Sequence, residues 1–206
     1  MTLDHIMRAA PVIPVMMIDD VDHAVPLARA LVEGGLKVLE ITLRTPSAME
    51  AIEAIKAEVD DAIVGAGTIL TPKQLEEVTA LGCQFAVSPG FTPALLDAAT
   101  PSSCPLLPGA ATASEVMQLL DRGHDRLKFF PAEAAGGAAF LKSLASPLPE
   151  AKFCPTGGIG PKNVASYLDL ANVLCVGGSW VVPKEAIAAG NWNRITELAT
   201  EASKLA

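Results

Sequence analysis

The chain has 206 residues, half of them hydrophobic, 18% charged and 4% aromatic, with a formal charge of -8. That length suffices for one well-buried core, and the composition is globular, while the acidic balance opposes binding to nucleic acid, whose phosphates need a basic face. No apolar run reaches the length of a membrane span, and the opening "MTLDHIMRAAP" lacks the basic-then-apolar order of a signal peptide, so no membrane partner and a cytoplasmic location are expected.

In chain order, "LDHIMRAA" reads as a short extra helix at the amino end. Strands are expected at "VIPVMMI" from Val12, "VLEITL" from Val38, "AIVGAGTI" from Ala62 and "FAVSPG" from Phe85. Four more follow at "PLLPGA" from Pro105, "RLKFFPA" from Arg126, "KFCPTGG" from Lys152 and "NVLCVGGS" from Asn172. Helical segments separate them. In "TPKQLEEVTALG" Thr71 is a fitting N-cap, Pro72 occupies the first helical position and Gly82 stops the helix. In "TASEVMQLLDRG" Thr112 and Glu115 have capping-box spacing and Gly123 closes the segment. Eight strand-helix units predict an α/β fold: a single-domain (β/α)8 TIM barrel over residues 1–206, preceded by the short helix. An open doubly wound sheet is the competing architecture, but "MMIDDVDHA" after the first strand has no glycine for a dinucleotide loop.

Cys83, Cys104, Cys154 and Cys175 are far apart, without a Cys-x-x-Cys pair, and are expected to be reduced, buried thiols with no metal site. His5, His23 and His124 lie near charged residues and are expected at the surface; none is chosen as a catalytic base.

Alternation along a strand puts Glu40, Thr42 and Arg44 on one face and Leu39, Ile41 and Leu43 on the other. If the aliphatic face meets helices, the polar trio points inward, either as a structural Glu-Arg pair at the rim or as part of a pocket. The same parity sends Lys128 and Phe130 inward together. A desolvated amine gives up its proton more readily and exposes a lone pair for attack on a carbonyl; the alternative is a strand-end lysine reaching back to water. Thr68 follows the small residues Ala66 and Gly67, where a ligand could approach the backbone. "CPTGGIGP" and "CVGGSWVV" each offer a double glycine followed by an expected helical start. Such turns either simply reverse the chain or hold a phosphate on backbone N–H groups, a task barrel enzymes often give to the loops after strands seven and eight.

These stretches, with "VLEITLRTP", "IVGAGTIL", "FAVSPGFT", "LLPGAATASE" and "KFFPAEAAGG" in the same order, resemble the bacterial 2-keto-3-deoxy-6-phosphogluconate (KDPG) aldolases, class I enzymes of the Entner-Doudoroff pathway, along almost the whole chain. The resemblance implies a lyase of (β/α)8 fold, commonly a homotrimer. It would cleave 2-dehydro-3-deoxy-6-phospho-D-gluconate to pyruvate and D-glyceraldehyde 3-phosphate without metal or organic cofactor. It further implies that Lys128 is the Schiff-base lysine and Glu40 the general acid/base, and that Arg44 and Thr68 hold the pyruvate end. Pro89 and Phe130 would shape the pocket, and Gly157, Gly158, Gly178 and Ser179 would bind the phosphate. A 4-hydroxy-2-oxoglutarate (KHG) aldolase, a sugar-phosphate isomerase or epimerase, and a non-catalytic metabolite-binding barrel are the competing functions.

Overall fold

Parallel strands alternating with helices make up the architecture, seen in a computed structural model whose described residues are 1–205. The first half runs α1 (Leu3–Arg8), β1 (Val12–Met16), α2 (Ala24–Glu33), β2 (Val38–Thr42), α3 (Ala48–Glu58), β3 (Ile63–Gly67), α4 (Pro72–Ala80), β4 (Phe85–Val87) and α5 (Pro93–Ala99). The second half runs β5 (Leu106–Leu107), β6 (Gly109–Ala110), α6 (Ala113–Asp121), β7 (Arg126–Phe129), α7 (Gly137–Leu144), β8 (Lys152–Pro155), α8 (Val164–Leu168), β9 (Val176–Gly178), α9 (Lys184–Ala188) and α10 (Trp192–Ala202). The expected helix signals act as read. Thr71 Oγ1 accepts from the Gln74 amide at 3.2 Å, and Thr112 and Glu115 close a reciprocal capping box.

Two parallel sheets result, one in the order β5-β4-β3-β2-β1-β9 and one in the order β6-β7-β8. The expected fifth strand is divided at Pro108. Proline has no N–H to donate, so the ladder is interrupted there: Leu106 and Leu107 pair with β4, while Gly109 and Ala110 pair with β7. Pro108 still serves as an acceptor, its carbonyl taking the Lys128 amide at 2.9 Å. The last expected strand is also shorter than read, with Val173 and Gly177 making isolated parallel bridges to Phe153 and Thr156. These bridges link the end of one sheet to the end of the other.

Strand parity divides the core in two. Leu39, Ile41, Leu127, Phe129 and Phe153 face outward into a large cluster shared with the helices. Val38, Phe85, Val87, Leu107 and Cys154 face the other way, into a smaller cluster with Ile6 and Met7 of α1. The amino-terminal helix therefore plugs the inner space at the end where the strands begin. Its Asp4 accepts from Arg126, the first residue of β7, at 2.6 Å and also pairs with Arg8. These two guanidinium partners hold the Asp4 carboxyl below the usual aspartate range.

Candidate active site

Lys128 and Glu40 lie on different sheets, yet Lys128 Nζ donates to Glu40 Oε1 at 3.3 Å. Each residue is only 3% exposed. The sheets thus curl until β2 and β7 face one another, and the two inward side chains meet across the gap. Gly67 makes room for the acid: a Cβ built there would come within 2.2 Å of Glu40 Oε1. On the other side Lys128 Nζ stands 5.3 Å from the centre of the Phe130 ring, a cation–π approach that orients the amine. A buried amine and a carboxylate in hydrogen-bond contact have somewhere to send a proton without bulk water.

Arg44 reaches this region by a turn rather than by strand alternation. β2 ends at Thr42, and the Arg44 amide donates back to the Thr42 carbonyl at 2.8 Å. Thr45 Oγ1 and Ser47 Oγ donate to the carbonyls of Ile18 and Asp19, pinning the turn to the loop after β1. Arg44 itself is exposed, and its Nε donates to Thr68 Oγ1 at 3.0 Å. Thr68 has a φ of 63°, left-handed backbone that a β-branched residue rarely adopts and that surrounding structure must hold in place. Thr42, the third member of the polar trio, turns away to bond the Met16 carbonyl at 2.8 Å and is structural. Phe130 likewise lies just past the end of β7, at a cis peptide bond to Pro131. The Pro89 carbonyl lies against Gly109, the β6 residue that pairs with Lys128.

The two glycine pairs sit at the carboxyl ends of β8 and β9. Gly157 and Gly158 have φ values of 105° and 78°, so the expected helical start does not follow them. The chain makes a turn instead, and α8 begins only at Val164. After Gly178 it turns again, with the Val182 amide bonded to the Ser179 carbonyl, and α9 begins at Lys184. The amides of Gly158 and Ser179 have no backbone acceptor among the described residues. Gly157 lies near the Phe130 ring, which joins this end of the site to Lys128; Gly178 is packed on the Trp180 ring. Ser179 is exposed beyond β9.

Sequence reading passed over Ser88 and Thr156, two further buried polar residues. Thr156 carried a signal, standing two residues after the inward Cys154; Ser88 did not, since alternation from the inward Val87 sends it the other way. Of the histidines, His5 is exposed as expected, but His124 is half-buried; burial and then the neighbouring Arg122 lower its pKa. His23 is also partly buried, edge-on to Trp192. All four cysteines are free and buried.

Fold and site together define a class: a parallel α/β enzyme in which a buried amine is set against a carboxylate between facing strands. The family model described as "Aldolase: KDPG and KHG aldolase" matches residues 3–198, and the chain belongs to that family. The KHG/KDPG aldolase of Escherichia coli is 55% identical over 199 residues, covering 97% of this chain and 93% of that protein. The 2-dehydro-3-deoxy-phosphogluconate aldolase of Zymomonas mobilis is 53% identical over 203 residues, covering 98% and 95%. The crystal structure of KDPG aldolase from Legionella pneumophila, with pyruvate captured at low pH as a covalent carbinolamine intermediate, superposes with a TM-score of 0.97 at 50% identity. It covers 99% of each chain.

Proposed function

We propose that the protein is a class I aldolase that reversibly cleaves 2-dehydro-3-deoxy-6-phospho-D-gluconate to pyruvate and D-glyceraldehyde 3-phosphate, with Lys128 as the covalent nucleophile. The observation that carries this reading is the 3.3 Å contact between two buried groups, an amine and a carboxylate, beside an aromatic wall. Glu40 accepts the ammonium proton, and the neutral Lys128 amine adds to the C2 ketone to give a carbinolamine; Glu40 then returns its proton to the carbinolamine hydroxyl, which leaves as water, so that a protonated imine and an ionised Glu40 remain. Glu40 then takes the C4 hydroxyl proton, directly or through a water, and the C3–C4 bond breaks. Its electrons pass into the imine to form the enamine, and the aldehyde departs. Protonation at C3 and hydrolysis release pyruvate and restore the lysine.

Arg44 clamps the keto-acid carboxylate, with Thr68 holding the guanidinium, and so fixes C2 relative to Lys128. Pro89 and Phe130 wall the pocket. Gly157, Gly158, Gly178 and Ser179 receive the phosphate on backbone amides and the serine hydroxyl, supplying binding energy remote from the reacting bond. The divided strand at Pro108 and the bridges between β8 and β9 support reading the two sheets as the staves of one closed eight-stranded barrel, a single domain. Family resemblance supports a cytoplasmic homotrimer, which a solution mass would test.

Incubation with pyruvate and borohydride, followed by peptide mapping, is the decisive experiment. An adduct on the Lys128 peptide is expected; labelling elsewhere, or none, would sink the reading. Cleavage of 4-hydroxy-2-oxoglutarate passes through the same pyruvate enamine, and comparison of kcat/KM on the two keto acids is expected to favour the phosphorylated one.

A further inference from the structure

The proposed phosphate loop is held from both sides. On its far side Asn163 Oδ1 accepts from the Gly160 amide at 2.8 Å, and Asn163 Nδ2 donates to the Gly158 carbonyl at 3.1 Å. On its near side the chain just past Lys128 runs along it: the Ala132 amide donates to the Thr156 carbonyl at 2.8 Å and the Glu133 amide to the Gly157 carbonyl at 3.1 Å. Gly158 lies flat on the stem of Glu133, so closely that a Cβ at this position would come within 2.7 Å of Glu133 Cγ.

The carboxylate at the end of that stem is not free to turn. Tyr167 of α8 is 0% exposed, and its hydroxyl donates to Glu133 Oε1. Burial, and then the bond to Glu133, push the phenol above its ordinary range, so it stays protonated and keeps donating. A buried hydroxyl without an acceptor is costly, which makes the carboxylate orientation the favoured one. Glu133 has no salt-bridge partner among the described residues, so its anchor is the tyrosine.

We infer that Glu133 and Tyr167 are positioning residues which lock the Gly157–Gly158 loop at a set distance from Lys128, and so make the enzyme selective for a keto acid carrying a terminal phosphate. This rests on the phosphate site proposed above. The strut joins the strand that carries the amine to the loop that receives the phosphate. A substrate long enough to touch both ends is gripped by both; one without phosphate does not use the loop.

The test uses the full chain with Tyr167→Phe, Glu133→Ala and Glu133→Gln. Three readouts are needed: borohydride trapping with pyruvate, kcat/KM for 4-hydroxy-2-oxoglutarate, and KM for the phosphorylated keto acid. Tyr167→Phe and Glu133→Ala are expected to raise KM for the phosphorylated substrate by about 10- to 150-fold, the range for losing a hydrogen bond to a charged group. Trapping and the unphosphorylated substrate should stay within about twofold, the size of a mild surface change. Glu133→Gln keeps an oxygen acceptor and should restore most of the loss. Glu133→Ala leaves the buried Tyr167 hydroxyl without its acceptor, whereas Tyr167→Phe removes the hydroxyl, so the two disturb the fold differently, and a rise in KM common to both with trapping unchanged reports the positioning role. A parallel fall on both substrates, or an unchanged KM for the phosphorylated one, overturns the inference. Failure of the unmodified protein to release pyruvate from either keto acid overturns the phosphate-site reading itself, and this inference with it.

Discussion

Two steps of the pleat separate an apolar end of the inner face from a charged one. Val38 on β2 belongs to the cluster with Ile6, Met7, Ile13, Phe85 and Leu107, whereas Glu40 on the same face meets Lys128. Burial is alike in the two regions, but its energetic meaning is opposite. Each apolar side chain removed from water contributes about 1.5–3 kcal/mol. An ion pair removed from water gains little over a well-packed apolar pair of the same volume, because desolvation offsets the attraction. The plugged end stabilises the fold, and the charged end is kept for what it does.

Substitutions at the two ends should therefore separate activity from stability. Glu40→Gln should cut turnover by roughly 100- to 10,000-fold, the usual contribution of a positioned acid/base group, while borohydride still traps pyruvate on Lys128, more slowly because solvent must then take the ammonium proton. Unchanged turnover in a stopped assay of pyruvate release would remove the acid from the mechanism. Ile6→Ala, at the plugged end, should lower the unfolding free energy by about 2–5 kcal/mol and leave kcat intact below the melting transition. Denaturant titration beside a steady-state assay checks both halves of that statement. Converting the charged end to the plugged kind, with Lys128→Met and Glu40→Leu together, should abolish activity yet leave stability unchanged or raise it by about 1–4 kcal/mol. A double variant much less stable than the parent would mean that the pair holds the fold together after all.

The smallest effect belongs to the rim of the plug. Asp4 has its carboxyl lowered by Arg126 and Arg8, so it binds a proton less readily folded than unfolded. Its contribution is complete above the ordinary aspartate pKa of about 3.9 and disappears as pH falls from there through the lowered folded value. Asp4→Asn should remove that acid-side component and leave the rest of the pH profile in place. Melting temperatures across the acid range would reveal it.

Much of the fold was legible because its signals are local. β-branched runs, N-capping threonines and stopping glycines each act within a few residues, and parity alone aimed Glu40 and Lys128 inward. What parity cannot supply is distance: only the curl of two sheets brings those residues, 88 positions apart, to 3.3 Å. Arg44 and Phe130 illustrate a second limit, since both lie just beyond their strands and are aimed by turns. The glycine pairs stand at strand ends as expected, but the helices expected directly after them begin only at Val164 and Lys184. Left-handed φ angles at Gly157 and Gly158 are incompatible with a helical first turn, and sequence does not display a φ angle. Glu133 left no trace in the periodicity, because its partner Tyr167 lies 34 positions away on another element.

The four buried cysteines have a practical consequence. Burial pushes the Cys83 thiol up to about 12 and Cys104 up to about 11, and Cys175 is raised by its hydrogen bond with Cys154 and by complete burial. Alkylating reagents act on thiolates, which these three sites hardly form at neutral pH. The rate at which a maleimide or iodoacetamide modifies them is therefore a clock for opening of the native structure. A single cysteine introduced on an exposed helix face would take up a dye ahead of these three.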